Sequence, residues 1–243
     1  MALKGIYMMK KKNTFKKNIL LILLFLIVFI FIGSWCFVVY KDTHSVNKDF
    51  TSIDLDSVDN LMIVAHPDDE LLWGGAHLIR DNYLVVCVTC GPNVIRVNEF
   101  VHVMNATNDK YIMLGYPDKT NGERDNWDDH RDKIYKDLES IIQLKEWDMI
   151  VTHNPEGEYG HIHHKMTSAL VTRGVESDNL YYFGKYHSKK TIGEYYDEMA
   201  PIDDSLLKTK KNLVGLYKSQ IFIQTMFDHM YGYEDFVKAT DWS

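Results

Sequence analysis

The sequence predicts an α/β fold: a Rossmann-like, doubly wound, mainly parallel sheet with helices on both faces, preceded by one N-terminal transmembrane helix. From residue 61 onward, short apolar runs rich in β-branched residues alternate with segments of helical periodicity. The strand-like runs are apolar throughout, which is typical of parallel strands covered on both faces. An uncharged apolar stretch at residues 18–40 is long enough to cross a bilayer as a helix.

Five segments are predicted as strands and four as helices. The strands are 61–65, 83–90, 111–116, 147–153 and 179–186. The helices are 69–81, 128–146, 163–175 and 203–220. In helix 128–146, Ile134, Leu138, Ile141 and Ile142 recur at helical spacing with polar residues between them, which predicts one buried face.

Charge divides the chain into four parts. Residues 1–17 hold six lysines and no acidic residue, and they precede the anchor at 18–40 and a polar tether at 41–60. The positive-inside rule keeps this basic N-terminus in the cytoplasm and places the catalytic domain, residues 61–243, outside it. A cleaved signal peptide is the alternative, but the apolar run is long and no small-residue cleavage site follows it.

Composition also excludes two classes of protein. Removing the six N-terminal lysines from the 27 basic residues leaves 21 against 34 acidic ones, so the body repels phosphate backbones and nucleic acid is excluded as a partner. Three cysteines do not make a disulfide framework. Cys87 and Cys90 lie three apart on a predicted strand, where they point to opposite faces, and we expect them in the core.

A first polar cluster, "HPDDE", follows the strand at 61–65. His66 and Asp69 lie three apart across a strand-to-helix turn, a spacing that lets an imidazole and a carboxylate converge on one ion while Asp68 stays free. The acids could instead stabilise a helix N-terminus through its dipole. That alternative explains the acidic residues but not His66.

A second cluster, "HNPEGEYGHIHH", follows the strand at 147–153. His161 and His164 share one face if a helix begins there. A solvated run of histidines is the simpler interpretation. However, ligands bind at the carboxyl ends of strands in open parallel sheets, and both clusters fall at such ends.

Together the clusters offer histidine nitrogens and a carboxylate, a set of ligands that suits Zn²⁺, although Fe²⁺ or Co²⁺ could occupy the same ligands. Bound zinc lowers the pKa of a water to roughly 7 and polarises a carbonyl oxygen. An uncoordinated carboxylate, Asp68, could then take the proton of that water.

"AHPDDE", followed some ninety residues later by "GEYGHIHH", resembles the PIG-L/LmbE-like family of zinc-dependent de-N-acetylases. The resemblance covers roughly residues 58 to 225. "VTCGPNVIRVNEF" resembles the family's Arg-x-x-Glu segment, "LGYPD" its Leu-Gly-x-Pro-Asp turn, and "LYKSQ" its C-terminal Ser-Gln element.

The resemblance implies a role for each matching residue. His66, Asp69 and His164 bind zinc, Asp68 is the general base that later passes a proton to the departing amine, and His161 steadies the oxyanion. Arg96 and Asp118 lie near the sugar or its aglycone, and Tyr159 contributes a hydroxyl.

The chain departs from the family pattern at one position. Many relatives place Asp between the two histidines, where it orients the first, but this chain has His163. Either the charge state of His161 changes or another residue orients it. His153 ends its strand at the predicted site, and the sequence leaves open whether it supports the site, faces the substrate or is structural.

We therefore expect a membrane-anchored, zinc-dependent hydrolase that removes the N-acetyl group from an N-acetylglucosamine-containing glycoconjugate, whether or not the acceptor is lipid-linked. A cytosol-facing N-acetylglucosaminyl-phosphatidylinositol deacetylase is the alternative, which the six lysines oppose. An inactive glycan-binding relative is another, supported only by the missing Asp. A metal-dependent glycosyltransferase is disfavoured because no Gly-rich phosphate-binding loop is present.

Overall fold

The computed structural model describes residues 25–28, 30, 53–176 and 178–243. The chain separates into two units, Met1–Ser45 and Val46–Ser243. In the first unit, residues 25–28 and 30 are helical and exposed. The basic segment 1–17, most of the predicted anchor and residues 41–52 of the predicted tether lie outside the described residues. None of the helices in the described part of the chain combines the length and hydropathy that a bilayer crossing requires.

The second unit contains a six-stranded sheet with the order β3-β2-β1-β6-β7-β8. Its strands are β1 (Asn60–Val64), β2 (Tyr83–Thr89), β3 (Lys110–Tyr116), β6 (Met149–Thr152), β7 (Leu180–Phe183) and β8 (Phe236–Lys238). β8 pairs antiparallel with β7, and every other pairing in this sheet is parallel. A separate hairpin consists of β4 (Lys119–Thr120) and β5 (Glu123–Arg124). The mostly parallel sheet is confirmed.

Six α-helices accompany the strands in the described part of this unit. They are α1 (Asp69–Arg80), α2 (Val94–Thr107), α3 (Arg131–Ile142), α4 (Ile162–Gly174), α5 (Asp204–Val214) and α6 (Ile221–Phe227). The predicted helix 203–220 is too long, because α5 ends before Gly215 and residues 218–220 form a separate 3₁₀ turn. α2 was not predicted, since its valines and isoleucine are poor helix formers. Its start is fixed by Asn93, whose side chain accepts a hydrogen bond from the Arg96 amide.

Helices cover both faces of the sheet, and β1 illustrates the arrangement. Leu61 and Ile63 pack in one core with residues of α3 and α4, whereas Met62 and Val64 pack in a second core with residues of α1 and α2. Alternate residues of a strand point to opposite faces, so a strand that is buried on both faces is apolar at every position. This explains why the sequence shows continuous apolar runs.

The strand order changes direction beside β1, which pairs with β2 on one edge and with β6 on the other. The chain builds outward through β2 and β3, then returns to add β6 and β7 on the opposite side. A crevice opens at such a switch point, beyond the carboxyl ends of the two central strands. The segments that follow Val64 and Thr152 therefore face each other there.

A buried ion pair forms hydrogen bonds with backbone groups on either side of a kink in α1. Gly74 has a non-helical backbone, and both carboxylate oxygens of Glu234 accept the backbone N–H of Ala76, Oε1 at 2.7 Å and Oε2 at 2.9 Å. Lys210 from α5 donates to Glu234 at 2.6 Å and to the Leu72 carbonyl at 3.0 Å. Both charged side chains are fully buried, so each depends on the other for charge compensation.

We expect Lys210→Met to destabilise the fold by about 3 kcal/mol, because the carboxylate of Glu234 would remain buried without its cation. Urea unfolding followed by circular dichroism measures the change. Lys208→Met, at an exposed position of the same helix, is the matched control and should leave the unfolding midpoint unchanged. Equal midpoints for both variants would show that the ion pair does not support α1.

Candidate metal and catalytic site

His66 and Asp69 meet at the turn between β1 and α1. The backbone N–H of His66 donates to Asp69 Oδ2 at 2.8 Å, which fixes the carboxylate against the turn. The same oxygen lies 3.2 Å from Nδ1 of the His66 ring. The turn therefore brings one imidazole nitrogen and one carboxylate together, as the spacing in the sequence predicts.

His164 approaches the same carboxylate from the first turn of α4. Its Nε2 lies 3.3 Å from Asp69 Oδ1 and is buried without a hydrogen-bond partner. Its Nδ1 lies 2.5 Å from Oε2 of Glu158, which holds the ring with Nε2 directed at Asp69. His66, Asp69 and His164 thus offer three ligand atoms within 4.8 Å of one another.

Glu158 was missed by the sequence analysis, although it contacts two histidines of the site. Its backbone N–H donates to Asn154 Oδ1, and its Oε1 accepts the backbone N–H of Asn154, both at 3.0 Å. Glu158 has φ +52°, and Gly157 beside it has φ +71°. A Cβ on Gly157 would lie 2.7 Å from the His161 carbonyl oxygen, so this turn requires glycine. The one sequence signal was an acidic residue within a Gly-rich loop at a strand end.

The position of His153 indicates that it supports the site. The backbone N–H of Ala65 donates to its Nε2 at 2.9 Å, so the ring proton is on Nδ1 and is donated to Glu158 Oε2 at 3.0 Å. The ring is fully buried and stacks on that of His164, with centroids 3.8 Å apart. His153 therefore braces Glu158 and His164 and does not face a substrate.

The charges around Asp69 fit a divalent cation. Burial alone would raise its pKa, but the charge of His164 beside it holds that pKa well below its usual range. Burial would lower the pKa of His164, yet Asp69 and Glu158 raise it to about 10. The buried carboxylates thus demand positive charge at His164 Nε2, which a proton or a metal ion can supply. Two histidines and one carboxylate are a suitable set of ligands for such an ion, and one of the histidine nitrogens, Nε2 of His164, is buried without a partner.

Asp68 lies beside the three ligand residues but belongs to no group of metal-ligand atoms in the described residues. Its backbone has φ +113°, and its N–H donates to Glu70 Oε2 at 3.0 Å. Burial raises its pKa to about 8, with Asp69 adding to the rise and Arg96 opposing it. Arg96 lies 3.4 Å from Asp68 Oδ2 and also donates to the Pro67 carbonyl. Asp68 is therefore a carboxyl group poised to exchange a proton near neutral pH.

A cavity of about 450 Å³ opens over these residues. Seven of the eight predicted site residues line it, namely His66, Asp68, Asp69, Arg96, Asp118, Tyr159 and His161. The eighth, His164, is fully buried. The structure therefore brings the predicted site residues together at one edge of the sheet.

His161 is oriented by backbone, which resolves the alternative left by the missing family Asp. The backbone N–H of His163 donates to His161 Nδ1 at 3.2 Å, so the ring proton of a neutral His161 is on Nε2. Burial, with the charges of His66 and His164, lowers the pKa of His161 to about 2. The ring is therefore a neutral N–H donor at the cavity.

Asp118 and Tyr159 occupy the walls of the cavity. Asp118 Oδ1 lies 3.2 Å from His66 Nε2 and forms an ion pair with Arg124 on β5. Burial favours its neutral form, but His66 and Arg124 hold its pKa well below the usual range. Tyr159 is partly exposed, and its ring lies 5.4 Å from that of His164. Asp118 thus contacts His66, in addition to lining the wall where the sugar was expected.

Two of the three shorter sequence motifs, the Arg-x-x-Glu segment and the Ser-Gln element, meet at the wall of the cavity. Ser219 donates to Glu99 from both its backbone N–H and its hydroxyl, at 2.7 and 2.6 Å. The Tyr217 hydroxyl donates to Glu70 Oε1 at 2.5 Å. The "LYKSQ" segment therefore anchors the first turns of α1 and α2, which carry Asp68 and Arg96.

Comparison with known proteins identifies similar sequences and similar folds. A model of the PIG-L family, described as GlcNAc-PI de-N-acetylase, matches residues 61–175. An uncharacterized protein of Acanthamoeba polyphaga mimivirus is 34% identical over 154 residues, which are 56% of this chain and 65% of that protein, so the chain spans about two thirds of its relative.

Two solved structures share the fold. One is the A40926 pseudoaglycone deacetylase, with a TM-score of 0.52 and 18% identity, covering 70% of this chain and 85% of that one. The other is a deacetylase of the teicoplanin biosynthesis pathway, with a TM-score of 0.52 and 17% identity, covering 70% of this chain and 90% of that one.

We expect metal binding to release a proton from His164. With a pKa of about 10, the metal-free ring is protonated at pH 7 to 9, whereas a metal ion needs the deprotonated Nε2. Apparent affinity should therefore rise by about tenfold per pH unit over this range. Titration calorimetry with Zn²⁺ in two buffers of different ionisation enthalpy measures the proton directly.

His102→Gln, at an exposed position of α2, is the matched control and should change neither the affinity nor the proton count. An affinity independent of pH, with equal heats in both buffers, would contradict the assignment of His164 as a ligand.

Proposed function

We propose that the body of this chain, whose residues 61–175 match the PIG-L family model, hydrolyses the acetamide of an N-acetylated amino sugar, releasing acetate and the free amine. The observation that carries this proposal is the buried carboxyl of Asp68, with its pKa raised to about 8, beside the set His66, Asp69 and His164. A proton acceptor near neutral pH next to three metal ligands is what a metal-assisted amide hydrolysis requires.

Each residue of the site has a separate role in the proposed hydrolysis. A divalent metal held by His66, Asp69 and His164 would lower the pKa of a water and polarise the amide carbonyl. Asp68 takes a proton as the water oxygen bonds to the carbonyl carbon, and the Nε2–H of His161 donates to the oxygen that becomes negative. Asp68 then returns its proton to the nitrogen as the C–N bond breaks. Arg96 keeps the ionised form of Asp68 accessible.

We propose zinc as the native metal. Two histidines and one carboxylate with an open fourth position are typical of catalytic zinc, although Fe²⁺ or Co²⁺ would fit the same ligands. The proposal of an active enzyme is preferred over a glycan-binding relative, because Asp68 and His161 both keep the environments that catalysis needs. The presence of histidine at position 163 leaves His161 oriented, because the backbone N–H of that residue donates to His161 Nδ1.

A membrane-borne acceptor is the substrate class that we propose. Three large apolar side chains, the apolar rim, are among the most exposed of the body: Ile95 at 63%, Ile221 at 70% and Phe222 at 72%. Ile95 and Ile223 also line the catalytic cavity, so the rim lies at its mouth. Exposed apolar patches of this kind mark interaction sites, and a lipid surface suits both the rim and the apolar segment 18–40.

We also propose that segment 18–40 anchors the chain in a membrane, and its orientation decides which side the body faces. The six lysines before residue 18 favour an extracytoplasmic body, whereas a function in glycosylphosphatidylinositol synthesis would place the site in the cytosol. Protease digestion of the full chain in sealed vesicles, with the luminal and cytosolic faces exposed in turn, distinguishes the two.

We expect Asp68→Asn to lower acetate release by about 10³-fold while Zn²⁺ affinity stays within a few fold, because the amide cannot accept the proton. Asparagine tolerates the positive φ at this position, so the turn should be retained. The assay uses the full chain with GlcNAc-phosphatidylinositol and with short N-acetylglucosamine oligomers. Asp81→Asn, at the opposite end of α1, is the control; loss of zinc in Asp68→Asn would instead make Asp68 a ligand.

We expect the apolar rim to affect lipid-linked substrates alone. Phe222→Ser should lower kcat/KM for GlcNAc-phosphatidylinositol in vesicles by about tenfold, since burying a Phe side chain contributes roughly 1.5–3 kcal/mol. The value for a short soluble oligomer should not change. Tyr196→Ser, also about half exposed, serves as the control. An equal loss on both substrates would contradict a role in lipid contact.

A further inference from the structure

We propose that His163 is a positioning residue, which keeps the ring proton of His66 on Nε2 and so presents Nδ1 to the metal. This inference rests on the metal site of the proposed function. It concerns a position where the sequence departs from the family that it resembles, and it assigns that side chain a role toward His66, not toward His161.

The surroundings of His163 fix its tautomer. The ring is fully buried and stacks on Trp127, with centroids 4.2 Å apart and planes 7° from parallel. Its Nε2 lies 2.6 Å from the backbone carbonyl oxygen of Asp125. A carbonyl oxygen can only accept, so Nε2 carries the proton and donates it. The lone pair of the neutral ring is therefore on Nδ1.

That lone pair faces His66. Nδ1 of His163 lies 3.0 Å from Nε2 of His66, and because Nδ1 accepts, the proton between them belongs to His66. Asp118 Oδ1, at 3.2 Å, is a second acceptor for the same N–H, although it also holds Arg124. Both neighbours of His66 Nε2 are hydrogen-bond acceptors, so Nε2 carries the ring proton and donates it.

A neutral His66 with its proton on Nε2 has a lone pair on Nδ1. This nitrogen lies 3.2 Å from Asp69 Oδ2, so a proton or a metal ion between the two atoms is needed to relieve their repulsion, and the metal is the one that the proposed function supplies. His164 Nε2 lies 3.3 Å from the other oxygen of the same carboxylate. The hydrogen bonds that begin at the Asp125 carbonyl therefore end by directing His66 Nδ1 at the proposed metal position. Partners that orient a ligating histidine in this way typically contribute 10–100-fold in metal affinity.

The segment that supplies the carbonyl is itself held firmly. The backbone N–H of Trp127 donates to Asp125 Oδ1 at 2.7 Å, and its indole N–H donates to the Pro117 carbonyl at 2.8 Å. The Asp125 N–H donates to the Asp118 carbonyl at 3.1 Å. The hairpin that brings Asp118 and Arg124 to the cavity therefore also places the acceptor for His163.

Two substitutions test the contributions of the two ring nitrogens of His163 separately. His163→Asn places an amide oxygen about where Nδ1 lies, so it keeps an acceptor for His66 but loses the donor to Asp125. His163→Gln reaches the position of Nε2, so it keeps that donor but loses the acceptor. A merely structural role would make the two variants equivalent, or would favour Gln because of its closer size.

The experiment is competitive titration of the full, metal-free chain with Zn²⁺ against a chelating dye. We expect Kd to rise by 10–100-fold in His163→Gln and to stay within about threefold in His163→Asn. Thermal unfolding of both metal-free variants checks that they fold. Equal losses in the two variants, with tight binding by the wild type, would overturn the role of His163 alone. A wild type that binds no metal would overturn the metal-dependent function instead.

A second measurement does not depend on either variant folding. Long-range ¹H–¹⁵N NMR of the zinc-bound wild type reports which ring nitrogen of each histidine carries a proton. We expect a protonated Nε2 and a zinc-bound Nδ1 for His66. A proton on Nδ1 of His66 would overturn the proposal.

Discussion

The site depends on a buried negative charge that solvent water cannot reach and stabilise. Asp69 is almost fully buried, and Glu158 lies close behind it on the far side of His164. Two carboxylates in such a place are costly unless cations or donors compensate them. The chain answers with a backbone N–H group for each carboxylate and with the His164 ring between them. The compensation is complete only when a proton or a metal ion sits at Nε2 of His164.

The sheet determines where this charge can be placed. β1 and β6 are neighbours at the point where the strand order reverses, so the turns that follow them meet in one crevice. One turn contributes Asp69 at the start of α1, and the other contributes Glu158 before α4. The hydrogen bond from Ala65 to His153 ties the two strand ends directly to each other. The fold thus brings together residues that are some ninety positions apart in the sequence.

Sequence reasoning recovered the parts of this arrangement that have a local signal. The apolar runs predicted the parallel strands, because burial on both faces leaves no polar alternation. His66, Asp69 and His164 were found because they follow such strands at ligand-like spacings. Glu158 was not found, since a single acid in a loop has no periodicity and its function arises from contacts with His153 and His164. α2 was missed because its β-branched residues favour strands locally, while tertiary packing and the Asn93 cap decide the outcome.

The histidine at position 163 is best understood through the charges around it. His163 Nδ1 lies 3.6 Å from Asp118 Oδ1, and Asp118 is held ionised by His66 and Arg124. A carboxylate at position 163 would therefore face a second carboxylate in a partly buried place, and such pairs repel. A neutral imidazole removes that repulsion and still offers an acceptor to His66. The negative charge beside His163 belongs to Asp118, which directly precedes the β4–β5 hairpin. The proposed metal site and the wall of the cavity are thereby linked through Asp118.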